Sequence, residues 1–183
     1  MTVLKVVEWP AQVLETKASD VASFDDRLRQ FVSDMFETME SAGGIGLAAN
    51  QVNSLQRVIV LNITSKNEEP EDIRPWHDKK FVLINPVITK KEGKTKYMEG
   101  CLSFPEQYDY VDRAALVTVR YQDEHGHFQE FEADGLLAIC IQHEMDHIDG
   151  IVFINRMSRL KSSRIRKKML EREQINQMEK DEP

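Results

Sequence analysis

The chain has 183 residues, 41% hydrophobic and 30% charged, the balance of an ordinary globular protein with room for one sizeable core. No apolar run is long enough to span a bilayer, and the net charge of −7 argues against a general nucleic-acid binder. The segment from Met1 to Pro10 has neither a signal-peptide pattern nor the Arg-rich pattern of a transit peptide, so a cytoplasmic protein is expected. In that compartment Cys101 and Cys140 read as thiols rather than a disulfide, and either can be a metal ligand.

Residues 1–10 read as extended, and residues 11–23 as a loop or a short helical turn. Phe24, Leu28, Phe31, Val32, Met35, Phe36 and Met39 recur at helical spacing and predict an amphipathic helix over a core. Ser23 or Asp25 can cap its start, and Gly43-Gly44 can stop it. The small residues from Gly43 to Ala49 let backbone run close to another surface. No Gly-Lys-Ser/Thr follows, so the run reads as a loop lining a cleft rather than a phosphate cradle, with Gln51 presenting an amide. Arg57–Leu61 and Phe81–Ile84 are short, β-branched and strand-like. The charged, Pro-broken stretch between them predicts an exposed loop, with Trp76 packed and His77 solvated.

Pro86 to Tyr97 reads as a hairpin turning at Glu92-Gly93. Cys101 then sits between Gly100 and Pro105 on an irregular segment, where a cysteine alone is usually a small buried hydrophobe. Ala114–Tyr121 and His127–Glu132 alternate and are joined by Asp123–Gly126, a second hairpin. His125 and His127 at its turn read as solvated, with a two-histidine metal turn as the lesser alternative.

Gly135–Ile141 is apolar on nearly every face, which predicts a buried helix, and Gly150 is a suitable left-handed stop. The run continues as Gln142-His143-Glu144-Met145-Asp146-His147. Residues four apart on a helix have Cβ atoms about 5–6 Å apart, so His143 and His147 can bind one metal ion. Glu144 can reach the ion's neighbourhood and take a proton from water, the logic of H-E-x-x-H hydrolases. Cys101 would make a third ligand, and catalytic sites keep three protein ligands and one open position. Asp146 reads as a helix-surface group or a support for a ligand.

Ser158 can cap a last helix starting at about Arg159. Arg159, Lys161, Arg164, Arg166, Lys167 and Lys168 form a basic run, either a solvated face or a surface for an anionic partner such as RNA. The tail beyond Gln174 is expected to fray.

Three segments stand out: Gly44-Ile45-Gly46-Leu47-Ala48-Ala49-Asn50-Gln51, Glu99-Gly100-Cys101-Leu102-Ser103, and Gln142-His143-Glu144-Met145-Asp146-His147. Together, in this order and spacing, they resemble the three signature motifs of the peptide deformylase family, in its bacterial class with a C-terminal helix. The resemblance spans most of the chain, to about residue 160. It implies a metal-dependent hydrolase that removes the formyl group from the N-terminal formylmethionine of nascent chains and releases formate. It implies Cys101, His143 and His147 as ligands of one divalent ion, Fe(II) as the native metal, with nickel, cobalt or zinc able to replace it. Glu144 matches the acid/base, and Gln51 and the Leu102 N–H match the donors to the formyl oxygen. Gly46 matches the glycine that pairs with extended substrate. Ile45, Glu99, Leu136, Ile139 and Cys140 match the methionine pocket or its borders. The resemblance also implies ribosome contact near the exit tunnel through the basic helix.

The expected architecture is α+β: antiparallel strands in small sheets around a central buried helix carrying the HExxH motif, plus a C-terminal helix. Residues 1–158 form one catalytic unit, and residues 159–183 a basic helix and tail packed on or extending from it. Three details depart from the family pattern: a long connection at 62–80, Phe104 in place of a smaller aliphatic, and Ile148 in place of leucine. A general metallopeptidase would share the histidines and Glu144 without needing Cys101. A catalytically silent metal- or ribosome-binding protein would not need Glu144.

Overall fold

The computed structural model describes residues 2–66 and 74–181. Of the connection at 62–80, residues 67–73 lie outside the described residues, as do the last two residues of the tail.

Helix α1 (Asp26–Ser41) begins where Asp25 accepts the Leu28 N–H at 3.0 Å, so Asp25 rather than Ser23 is the cap. Strands β1 (Gly46–Ala48), β2 (Val58–Asn62), β3 (Lys80–Glu92), β6 (Leu116–Gln122) and β7 (Phe128–Asp134) form one antiparallel sheet, ordered β1-β2-β3-β6-β7. Strands β4 (Thr95–Cys101) and β5 (Phe104–Arg113) form a separate ribbon. Helix α2 (Gly135–Ile148) and helix α3 (Arg159–Asp181) complete the chain.

Strand β2 shows why the sheet is central. Ile59 and Leu61 point into the core shared with α2, and Val58 and Val60 into the core shared with α1. Successive side chains alternate faces, so a strand apolar at every position is covered on both sides. Each such side chain contributes about 1.5–3 kcal/mol on burial. A third cluster joins Trp9, Leu14, Phe104 and Phe153 to Ile165 and Met169 of α3, so the last helix is docked. Phe104 fills this cluster between the Trp9 and Phe153 rings.

Helix α2 is buried from Leu137 to Ile148. It ends as its glycine foretells: Gly150 has φ +74°, its N–H reaches the His147 carbonyl at 2.9 Å, and the Ile151 N–H reaches Asp146 at 2.8 Å. This pair of bonds closes a helix with a left-handed residue. A Cβ at Gly150 would also meet the backbone of Glu15 and Lys17 at 3.0 Å.

Three expectations are corrected. The turn at Gly93 is real (φ +64°), but β3 and β4 are not a hairpin. Both edges of β3 are taken, by β2 and β6, so the chain crosses to a new ribbon. Strand β5 itself had no clear sequence signal. His77 is buried rather than solvated: its ring lies 4.2 Å from that of Trp76, and its Nδ1 accepts the Arg74 N–H at 2.8 Å. The tail does not fray at Gln174, because α3 continues to Asp181. Trp76 packs against the α2 core, and its indole N–H donates to Asp134 at 3.0 Å.

Candidate active site

The helix places His143 and His147 on one face, and the end of β4 brings Cys101 to them. The ligand atoms of these three residues lie within 4.8 Å of one another. His147 Nε2 is 3.2 Å from both Cys101 Sγ and His143 Nε2. On the far side of the His143 ring, Nδ1 lies 2.8 Å from Glu99 Oε2. That contact puts the proton on Nδ1 and leaves the Nε2 lone pair facing the other two donors. Lone pairs and a sulfur facing each other at this range repel unless a cation sits among them. Ligands about 2.0–2.3 Å from a tetrahedral ion are a little over 3 Å apart, so the donor set fits a divalent metal. Among the described residues, His125 and His127 do not join any comparable set, and both are exposed.

Glu99 is the support for this arrangement. Burial alone would raise its pKa, but hydrogen bonds from Arg113 and His143 outweigh burial and hold it at about 2. Arg113 donates to both Glu99 oxygens, at 2.7 and 2.9 Å, and to Asp146 at 2.5 Å. Asp146 is therefore a buried ion-pair partner rather than a helix-surface group. Glu99 borders the pocket as expected, but its carboxylate is committed to Arg113 and His143.

Glu144 is 4% exposed, and its Oε2 has no hydrogen-bond partner among the described residues. Burial pushes its carboxyl up to about 7, the range suited to proton transfer near neutrality. Gly46 explains how it fits: a Cβ there would stand 2.5 Å from Glu144 Oε1 and 2.7 Å from Cys140 Sγ. Gly46→Ala is therefore expected to push the carboxylate out of place and lower kcat with little change in fold. Kinetics alongside circular dichroism check this, and unchanged kcat would show that the carboxylate can move freely.

Gln51 is oriented by its own loop. Its Oε1 accepts the Ala48 N–H at 2.8 Å, which turns Nε2 toward Ser103 Oγ at 3.2 Å and Cys101 Sγ at 3.6 Å. Its neighbour Asn50, given no role by the sequence reading, donates to the His147 carbonyl and ties the first motif to α2. A cleft of about 470 Å³ runs between Gly43–Gly46 and Tyr97–Leu102, with Ile45, Leu136, Ile139, Cys140, His143 and Glu144 in its walls. Of the residues expected from the motifs, all but the buried His147 line this one cleft. Sequence reasoning missed Arg113, whose type and spacing carry no local pattern, and gave Ser103 no role although it closes the second motif.

Three donors and an unpaired carboxylate in a cleft on an α+β scaffold are the apparatus of a metal-dependent hydrolase. A family model described as polypeptide deformylase matches residues 3–163, and the chain belongs to this family. Enzymes of the family remove the N-terminal formyl group from nascent polypeptides in a metal-dependent reaction. The chain is 47% identical over 173 residues to a peptide deformylase of Neisseria gonorrhoeae, covering 94% of this chain and 98% of that protein. It is 49% identical over 169 residues to one of Pseudoalteromonas translucida, covering 92% and 95%. Its fold matches the crystal structure of the Ehrlichia chaffeensis peptide deformylase in complex with actinonin, with TM-score 0.86 and 37% identity over 94% of this chain and 99% of that one.

Proposed function

We propose that this chain hydrolyses the formyl amide of N-formylmethionyl polypeptides to formate and a free amine. Cys101, His143 and His147 hold one divalent ion, Fe(II) in its native state. The observation that carries the reading is the unpartnered Glu144 carboxylate beside three converging donor atoms. The ion supplies Lewis acidity, polarising a carbonyl and acidifying water. Nickel, cobalt or zinc also suits the donors, and because intrinsic affinity favours zinc over iron, availability decides which is bound.

The remaining steps belong to the protein. Strand β1 is the edge of its sheet, so an extended peptide can pair with the Gly46 backbone as an added strand. Ile45, Leu136, Ile139 and Cys140 receive the methionine side chain. Glu144 takes a proton from water as the oxygen attacks the formyl carbon. Gln51 Nε2 and the Leu102 N–H donate to the formyl oxygen as charge builds there, each such donor being worth about 10²–10³ in rate. Glu144 then returns the proton to the departing amine nitrogen as the C–N bond breaks. Formate release from a formyl-Met tripeptide, with anaerobic protein and with or without chelator, tests the proposal. Fast, chelator-sensitive release is expected, and none from protein carrying stoichiometric iron or nickel would overturn it.

Residues 1–158 form the catalytic unit, with the helix from 159 docked on it. The enzyme works in the cytoplasm at the ribosome near the exit tunnel, with the basic face of α3 on ribosomal RNA. Of the six cations from Arg159 to Lys168, Lys161 pairs with Asp109, Arg166 with Glu15, and Lys167 with Glu171. Arg159, Arg164 and Lys168 make no ion pair among the described residues. Charge reversal at these three is expected to weaken ribosome binding and flatten its salt dependence. Undiminished binding in sedimentation assays would count against this contact.

A further inference from the structure

Two buried anions and two arginines form a chain behind the metal site. Asp146 accepts Arg113 Nη1 at 2.5 Å, and from the other side Arg156 Nε at 3.0 Å and Nη2 at 2.5 Å. Arg113 passes on to Glu99, and Glu99 to His143 Nδ1 at 2.8 Å. The side chains of Arg113, Glu99 and Asp146 are only 4%, 4% and 10% exposed, whereas that of Arg156 is 43% exposed. The chain also connects two cavities that share no residue. Glu99 and His143 border the catalytic cleft, while Arg113, Asp146 and Arg156 border a second cavity of about 750 Å³.

We propose that Arg156 is a positioning residue for the metal centre, acting through Asp146, Arg113 and Glu99 on the imidazole of His143. This rests on Cys101, His143 and His147 being the metal ligands. Glu99 and Asp146 carry two negative charges and Arg113 and Arg156 two positive ones, so the set is balanced. Arg113 divides its three donated bonds between the two carboxylates. It can hold Glu99 with two of them because Arg156 grips Asp146 with a two-point fork. Without Arg156, one guanidinium must satisfy two buried carboxylates. Arg113 then shifts toward Asp146, and Glu99 loses the clamp that fixes its oxygen against the His143 ring. The exposure of Arg156 screens its charge, so the geometry of the fork, rather than long-range charge, is what it supplies. Partners that orient a metal-binding histidine are worth about 10- to 100-fold in metal affinity.

The test is the Co(II) dissociation constant of the full chain, read from the thiolate-to-cobalt absorption band, with thermal unfolding followed in parallel. Arg156→Leu is expected to weaken Co(II) binding about 10- to 100-fold. Arg57→Leu is the control. It breaks the 2.6 Å pair with Asp149 near the end of the same helix but lies outside the chain. It is expected to lower the melting temperature and leave Co(II) affinity unchanged. Should Arg156→Leu fail to fold, Arg156→Lys keeps the charge without the fork and is expected to show a smaller loss of affinity. Wild-type Co(II) affinity in either folded Arg156 variant overturns the proposal. If the wild-type chain itself fails to take up one equivalent of Co(II), the metal-centre reading falls, and the relay with it.

Discussion

Glu144→Gln is expected to lower kcat for formate release by about 10²–10⁴-fold, the worth of a positioned acid/base, while metal content stays stoichiometric. Glutamine matches glutamate in shape, so it fits under Gly46, where the carboxylate already stands so close that a Cβ would meet Oε1 at 2.5 Å. It cannot accept a proton and later release it. The lost group is unpartnered at Oε2, so the change breaks no hydrogen bond at that atom and the fold should persist. The pH profile gives a second reading. Burial sets the Glu144 carboxyl at about 7 in the protein alone, and a bound cation favours its charged form and lowers that value. Activity that needs the carboxylate is present above its pKa and lost as pH falls through it. The acid limb of kcat/KM should therefore disappear from the residual activity of Glu144→Gln. Near-wild-type turnover in metal-replete variant would remove Glu144 from the chemistry.

Arg113→Met is expected to cost about 3–5 kcal/mol of stability, the usual result of deleting one member of a buried ion pair. A typical domain has only about 5–15 kcal/mol to lose. The arginine is 7% exposed and holds two buried carboxylates, Glu99 and Asp146. The pH dependence follows from Glu99. Its folded pKa, about 2, lies below its ordinary value of 4.5. A depressed carboxylate contributes stability that is fully present above its unfolded pKa and disappears as pH falls through the folded one. In the wild-type chain that contribution is lost between about pH 4.5 and 2. Without Arg113, burial dominates at Glu99, its pKa rises, and acid unfolding begins at higher pH. Urea titrations across this range measure both effects. An unchanged midpoint at every pH would show that the buried charges are satisfied without the guanidinium.

The helix that carries His143 and His147 was legible because its information is local. Helical pitch alone stacks His143 on His147, and a run apolar on all faces has to be buried. Gly150 ended the helix where its left-handed φ of +74° was needed. Strand β2 was readable from its short β-branched run, and the hairpin of β6 and β7 from short-range alternation. Strand pairing was not, because it depends on which edges remain free. Once β2 and β6 flank β3, β4 must pair elsewhere, and no residue between Pro86 and Tyr97 records this.

Sequence by itself determined which side chains are on offer: a cysteine, two histidines four apart, a glutamate between them and a glutamine amide, in three separated segments. Their types and local spacing are properties of the covalent chain. Tertiary structure alone decided what holds them in place. Glu99 meets His143 across 44 positions, and Arg113 meets Asp146 across 33. Buried charges must be paired wherever the fold leaves them, and which groups are left together is settled only when β4, β5 and α2 have packed.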